Sequence, residues 1–408
     1  MLVLPKTSYR GEAYVQAAGR LGVELTLACD AASAMRRHSR PVLELDLSRP
    51  EAAAQNVLAC GQPFDGVLGT DEQSTLVAAH LAAALGLRSN DPDAALAARD
   101  KRRMRQRLEA AGVPGPRVRV LQPDQGARDL EDASFPCVVK PPMLSGSQGV
   151  IRADDEAALD TAIARVRRIL ARHPSSWREH RDFHRLLVED YIDGPEVAVE
   201  ALMHDGQLEL IALFDKPDDL VGPFFEETIY VTPSRHAPDK KRQILDVTER
   251  AARALGLVHG PVHAELRIGA AGPWIVELAG RSIGGLCSRT LELCADNLEE
   301  RLIAHAVGLP QRGGQRAPGT AAGVMMIPIP RSGVFRSAGG VERARAVPGI
   351  EDIAIAARPG DALYALPEGS SYLGFIFARG AEPAGVESAL RAAHAELELQ
   401  LSPLLSLL

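Results

Sequence analysis

Apolar runs of strand length alternate with helix-spaced stretches through the first 95 or so residues. Leu2-Val3-Leu4 reads as a short strand. Residues 11–21 place Ala13, Tyr14, Ala17, Ala18 and Leu21 at helical spacing, and Gly22 ends that helix before an apolar strand over 23–28. Strand, helix and strand within about thirty residues imply a parallel βαβ unit. Residues 65–70 and the Ala-rich run to Leu85 repeat the pattern. No Gly-x-Gly-x-x-Gly follows the first strand, so no dinucleotide site is assigned there.

Asp91-Pro92-Asp93 opens a second series of elements. A helix spans 100–111 and stops at Gly112, and the rigid turn Val113-Pro114-Gly115-Pro116 follows. Strands are expected over 135–140, 186–189, 197–202 and 208–214, the last two joined by His204-Asp205-Gly206. Helices are expected over 157–170, 240–255 and 297–307, with Asp296 capping the last. The His-, Arg- and Trp-rich tract 173–185 reads as a mobile surface segment, and 310–319 as a linker. Beyond Thr320 the pattern gives strands, a Gly-rich hairpin over 369–377 and a last helix over 385–397; the apolar tail 404–408 is expected to dock on its own domain.

Composition narrows the class. Hydrophobic residues make up 46% of 408, enough for sizeable cores. No apolar run reaches the ~20 residues of a membrane helix, and no secretory signal pattern opens the chain. The net charge of −7 argues against nucleic acid as a partner. Five cysteines without Cys-x-x-Cys fit neither a disulfide framework nor a zinc cluster, so a reducing cytoplasm is the expected location.

Candidate chemistry concentrates in a few places. Val262-His263-Ala264-Glu265-Leu266-Arg267-Ile268, a Gly-rich turn and Trp274-Ile275-Val276-Glu277-Leu278-Ala279 read as a hairpin. With its centre at Ala271, Glu265 falls opposite Glu277. Opposed carboxylates on one sheet face repel, and a hard divalent cation such as Mg²⁺ removes the penalty. Two exposed glutamates on a solvated hairpin have the same spacing. Lys140 ends an apolar strand and meets the small-residue loop Leu144-Ser145-Gly146-Ser147-Gln148-Gly149, whose amides can cradle phosphate oxygens, although a plain surface turn reads equally well. Lys101 reads alone as a solvated helix charge. The stretch Glu189-Asp190-Tyr191-Ile192-Asp193-Gly194-Pro195-Glu196 can offer backbone groups to an adenine edge and a carboxylate to ribose, or be an ordinary turn.

The order of these pieces resembles the ATP-grasp superfamily over roughly residues 1–329: Asp100-Lys101-x-x-Met104, then Val138-Val139-Lys140-Pro141, Ser145-Gly146-Ser147-x-Gly149, Val188-Glu189-x-Tyr191-Ile192-x-Gly194-x-Glu196, and Glu265 followed by Glu277-x-x-x-Arg281. His263-x-Glu265 and Glu277-x-Ala279-x-Arg281-x-x-Gly284-Gly285 are most similar to the branch of bacterial L-amino acid ligases and carnosine-synthase-type enzymes. Many superfamily members carry Asn where Ala279 stands; this branch commonly lacks it, and the number of metal ions is left open.

The resemblance implies an α/β protein: a Rossmann-like parallel-sheet domain over 1–95, an ATP-grasp region of α+β character over 96–319 with a lid at about 135–190, and a C-terminal α+β subdomain over 320–408. It implies a ligase joining a carboxylate to an amine, both small molecules and amino acids in kind, with ATP and Mg²⁺ (or Mn²⁺) as cofactors and a homodimer among the assemblies it allows. Lys101, Lys140, Ser147 and Gly149 would contact the ATP phosphates. Glu189, Tyr191 and Ile192 would hold adenine and Glu196 the ribose. Glu265 and Glu277 would bind the metal, and Arg281 and Lys140 would serve the transferred phosphoryl group. Glu227, Lys216, His263, Gly284 and Gly285 would face the substrates. Carboxylase-type or purine-pathway ATP-grasp enzymes, and a non-catalytic ATP binder, are the alternatives.

Overall fold

The structure is a computed structural model that describes residues 1–6, 8, 10–30, 42–130, 132–173, 181–310 and 319–404. Four parallel strands open the chain: β1 (Leu2–Val3), β2 (Leu27–Cys29), β3 (Val42–Glu44) and β4 (Leu68–Gly69), in the order β3-β2-β1-β4. Helix α1 (Gly11–Leu21) has the predicted bounds, and Gly22 closes it in the left-handed conformation at φ 67°. Strand β3 and helix α2 (Pro50–Ala59) have no counterpart in the sequence reading. The helix is mostly alanine on its buried side, which gives a weak amphipathic signal. Helix α3 (Glu72–Ala84) starts at an Asp71 capping box, where Asp71 accepts from the Ser74 amide. Gly69 is required just before it, because a Cβ there would lie 2.4 Å from the Thr75 nitrogen. Helices α4 (Pro92–Arg99) and α5 (Lys101–Ala110), capped by Asp91 and Asp100, lead into the second half.

An antiparallel sheet, β5 (Val118–Leu121), β6 (Cys137–Lys140), β7 (Ile151–Ala153) and β8 (Leu186–Asp190), runs in the order β5-β8-β6-β7. Helix α6 (Glu156–Arg172) covers it with Leu159, Ile163, Val166 and Leu170. Most of the tract expected to be mobile lies outside the described residues; what is described of it forms a 3-10 turn over Arg181–His184, with Phe183 buried in this core rather than at the surface.

Eight strands form the main sheet. β9 (Glu196–His204), β10 (Gln207–Lys216), β11 (Ile229–Thr232), β12 (Gly260–Gly269) and β13 (Gly272–Ala279) are joined by β14 (Ala321–Ile327), β16 (Ile350–Ile355) and β18 (Gly374–Gly380), in the order β13-β12-β9-β10-β11-β14-β18-β16. The alternation in Val262–Ile268 and Glu196–Leu202 sorts side chains to two faces. Val197, Val199, Val262, Ala264 and Leu266 pack on Ile244, Ala251 and Leu255 of α7 (Pro238–Leu255). Each large aliphatic side chain so buried contributes about 1.5–3 kcal/mol. The opposite face carries Glu196, Glu200, His263, Glu265 and Arg267. Gly194, at φ 121° between β8 and β9, passes so close to the Ile268 carbonyl that a Cβ would lie 2.3 Å from its oxygen.

Two details differ from the sequence reading. Helix α9 (Leu298–Ala306), which follows the short α8 (Arg289–Glu292), is capped by Asn297 and not Asp296, since the Asn297 side chain accepts from the Glu300 amide at 2.8 Å. The expected hairpin over 369–377 is absent: β18 pairs with β14 and β16, and the Pro- and Ser-containing segment before it crosses the molecule without pairing as a strand. The remaining tail elements are β15 (Gly333–Gly339), β17 (Ala362–Leu363) and β19 (Glu398–Ser402), which form a small sheet, and α10 (Val341–Arg345) and α11 (Pro383–Ala395). The expected linker core at 311–318 and the tail end at 405–408 lie outside the described residues. No helix among the described residues is long and apolar enough to cross a membrane.

Three histidines meet where the N-terminal sheet's neighbours join the main sheet. His305 stacks on His259 with ring centroids 4.1 Å apart and takes His204 edge-on at 4.5 Å, and its Nε2 accepts from the Gly260 amide at 3.0 Å. Burial, then His259 and His204, push His305 down to about 3 from 6.5. The native ring is neutral where the unfolded ring binds a proton, so this stability is present above pH 6.5 and is lost as pH falls toward 3. Full linkage would cost about 2 kcal/mol between about pH 7 and pH 5, and with water partly screening the ring urea unfolding should show a loss of about 1 kcal/mol from this site. His305→Gln, which keeps the acceptor, should flatten that slope; an unchanged slope refutes the assignment.

Candidate active site

The β12–β13 hairpin turns at Ala270-Ala271, closed by the pair Gly269/Gly272. That centre, half a residue before the one predicted, would set Glu265 opposite Val276. A bulge between Glu265 and Leu266 on the ladder absorbs one residue of β13 and restores Glu265 opposite Glu277. Arg105 of α5 supports the bulged strand by donating to the Ile275 carbonyl at 2.7 Å and to the Val276 carbonyl.

Cross-strand rows then build a charged floor. Lys216, Glu196 and Arg267 are neighbours across β10, β9 and β12; Ala198, Glu265 and Glu277 form the next row; Glu200, His263 and Ala279 form the one after. Lys216 Nζ lies 2.6 Å from Glu196, 2.8 Å from Glu227 and 3.1 Å from Glu265. Burial alone would lower this lysine, but the three acids hold it well above its ordinary value. Glu196, Glu227 and Glu265 have carboxylate oxygens within 4.8 Å of one another, a grouping that could hold a metal ion. Burial and then the Glu265 charge push Glu227 up to about 7. Glu265 also feels burial, but Lys216 and His263 keep it well below the carboxylate range. His263 bonds to Glu200 and approaches Glu265 at 3.4 Å; burial opposes its charge, and Glu200 raises it to about 9.

Above this floor lies a cavity of about 920 Å³. Lys101, Lys140, Ser147, Glu189, Tyr191, Ile192, Glu196, Glu227, His263, Glu265, Glu277, Arg281, Gly284 and Gly285 all line it. Lys216 lies beneath the lining, and the Gly149 amide is spent on the Pro367 carbonyl at 2.9 Å. Lys101 Nζ bridges the Leu144 carbonyl at 2.7 Å and Glu277 at 3.1 Å, tying the small-residue loop to the hairpin. Lys140 Nζ is 2.6 Å from Glu189, which Arg105 holds from its other side at 2.7 Å. Burial lowers Lys140 despite the pull of Glu189. The Glu189 side chain thus holds Lys140; the Asp190 and Tyr191 amides donate to the Arg117 and Pro136 carbonyls and the Ile192 carbonyl accepts from Arg267, which leaves the Ile192 amide to meet a base. Tyr191 stacks against Phe225 with Arg152 and Arg267 over its ring, making one end of the cavity aromatic.

Two site residues come from the N-terminal sheet and escape sequence reasoning. Glu72, the first residue of α3, accepts from Arg281 Nε at 2.7 Å. Burial works against its charge, but Arg281 holds the carboxyl down at about 2. Arg10, just after β1, donates to Ser282 Oγ at 3.1 Å and the Ile283 carbonyl at 3.0 Å, setting the path of the chain into Gly284-Gly285. Both lie at the carboxyl ends of parallel strands, where α/β sheets place ligands; that rule, applied to Gly69-Thr70-Asp71-Glu72, was the available signal. Met326, Cys287, Tyr372 and Phe375 wall the far end of the cavity, and burial pushes the Cys287 thiol above its working range, so it serves as an apolar surface.

Comparison with known proteins gives two domain matches along the chain. Residues 133–290 match an ATP-grasp domain, and residues 325–402 match the L-amino acid ligase C-terminal domain 2. The crystal structure of an L-amino acid ligase from Bacillus licheniformis superposes with a TM-score of 0.85 at 27% identity, covering 98% of each chain. Alanine–anticapsin ligase of Bacillus subtilis (strain 168) is 27% identical over 59% of this chain and 53% of its own length. Carnosine synthase 1 of Homo sapiens is 28% identical over 67% of this chain and 35% of its own. The matched region therefore spans about half of the first of these curated relatives and about a third of the second. The motif order and the sheet topology agree with these matches: the chain carries an ATP-grasp domain over residues 133–290 and an L-amino acid ligase C-terminal domain 2 over residues 325–402.

Proposed function

We propose that the protein is an ADP-forming ligase that joins the carboxylate of one amino acid, or a related small acid, to the amine of a second. The observation that carries this reading is the convergence on one cavity of two lysines, two hairpin acids and Arg281. A carboxylate is a poor electrophile until it is phosphorylated, and that step rests on positioning and charge neutralisation.

Lys101 and Lys140 hold the ATP phosphates, with Ser147 and neighbouring loop amides over the β- and γ-groups. Tyr191 and Ile192 receive the adenine. Glu196 keeps a second lone pair on each oxygen for a ribose hydroxyl while it holds Lys216 and Arg267. Glu265 and Glu277, hard oxygen donors on rigid paired strands, would fit Mg²⁺, and among the described residues the grouping that could hold an ion is all carboxylate. When bound, the ion neutralises charge on the phosphates. The acid's oxygen attacks the γ-phosphorus as the bond to ADP breaks, and Arg281 lies against the resulting acyl phosphate. The ammonium gives up a proton, the amine nitrogen attacks the acyl carbon as the carbon–oxygen bond to phosphate breaks, the nitrogen's second proton leaves with the phosphate or to water, and the amide remains. Glu227 faces the substrate ammonium group, and the Gly284-Gly285 backbone lets the carboxylate approach. The apolar end at Met326, Tyr372 and Phe375 accommodates an uncharged side chain of one substrate.

An ADP-release screen over pairs of amino acids should give a signal that needs ATP, Mg²⁺ and both partners, strongest when one partner has an apolar side chain. Nucleotide binding without turnover for any pair would favour a non-catalytic binder.

A further inference from the structure

The small-residue loop that faces the phosphate end is gripped from across the cavity mouth by the segment 364–372. The Gly149 amide donates to the Pro367 carbonyl at 2.9 Å, and Gln148 Nε2 donates to the Glu368 carbonyl at 2.7 Å. Arg165 of α6 makes a two-point pair with the Glu368 carboxylate, at 2.7 and 2.9 Å. Gly146, at φ 61°, lets the two backbones meet, since a Cβ there would lie 3.1 Å from the Ser370 oxygen. The same segment then sends Ser370, Ser371 and Tyr372 into the cavity wall, with Tyr372 edge-on to Phe375 at 6.1 Å. One stretch of chain therefore touches the phosphate loop with one end and the apolar substrate end with the other.

We propose that residues 364–372 are a latch that couples closure of the phosphate loop to the seating of the acid substrate, with Glu368 as its positioning residue. The mechanistic consequence rests on the ligase reading above; the latch itself rests on the contacts. Glu368 does not line the cavity, and its side chain is 41% exposed, so it acts through the loop and not on the reacting atoms. A tethered loop excludes water while the acyl phosphate waits for the amine. Released, it admits water, whose oxygen attacks the acyl carbon as the carbon–oxygen bond to phosphate breaks, returning the acid and consuming ATP without amide.

Three proteins test the latch: wild type, Glu368→Ala, and the charge swap Arg165→Glu with Glu368→Arg. Hydrogen exchange over residues 144–149, with Mg²⁺ and a non-hydrolysable ATP analogue, should be about threefold to tenfold faster in Glu368→Ala, the size expected of a partly exposed two-point pair, and should return toward wild type in the swap. With an active acid–amine pair, Glu368→Ala should raise KM for ATP by a similar factor, leave kcat nearly unchanged, and release more than one ADP per amide. Equal exchange in wild type and Glu368→Ala overturns the latch. A wild type that protects its loop yet joins no pair overturns the ligase reading instead, and the exchange difference in Glu368→Ala still supports the latch.

Discussion

Glu277→Gln should lose about 10²–10³-fold or more in turnover while still binding ATP. Glutamine keeps the shape of the side chain, and Glu277 opens on the cavity, so the fold should tolerate the change. What disappears is one of the two hard anionic donors on the hairpin and the partner of Lys101. Lys101 keeps the Leu144 carbonyl as a partner, and the proposed contacts of Lys140 and the Ile192 amide with the nucleotide would be untouched. Affinity measured by calorimetry should thus fall far less than the rate of ADP release at saturating Mg²⁺. A variant with normal turnover would reject the assignment of Glu277 to the metal.

Lys216→Met should have the largest effect on stability. The ammonium is buried among Glu196, Glu227 and Glu265, all three within 3.1 Å. Arg267 also serves Glu196, and His263 approaches Glu265, but Glu227 has no other cation at hydrogen-bond distance among the described ion pairs. Removing one member of a buried charge cluster costs about 3–5 kcal/mol, because Glu196 and Glu265 lose a partner and Glu227, already raised to about 7, must take up a proton to stay buried. Urea unfolding should show that loss in metal-free buffer. Mg²⁺ should recover part of it, since an ion that binds only the folded acids shifts the equilibrium by mass action. Stability equal to wild type, with or without the ion, would mean the three acids are not held by this lysine.

Much of the site was legible in the residues. Val262-His263-Ala264-Glu265-Leu266-Arg267 alternates so cleanly that three polar side chains must share a face, and the structure puts all three on the cavity floor. The pairing of Glu265 with Glu277 was also foreseen, though by arithmetic that missed both the two-residue turn and the bulge that offsets it. Local pattern does not report a bulge, because the inserted Val276 is an ordinary strand residue. Glu189 and Lys140 were both read as nucleotide contacts, yet each is partner to the other, and Arg105 completes the trio. The loop before β18 looked like a hairpin because glycine and small polar residues flank an apolar run; its pairing partners lie in strands far away in sequence.

From the chain alone came those properties that depend on neighbours a few positions away: which segments are strands or helices, which side chains share a face, and where caps and tight turns fall. Periodicities of 2 and 3.6 residues are local consequences of backbone geometry. Folding in three dimensions decided that Glu72 would hold Arg281 across 209 positions, that Lys216 would lie among three acids, and that Glu368 would reach Arg165 across 203. Those meetings follow from how sheets and helices pack and close long loops, which no short stretch of residues encodes.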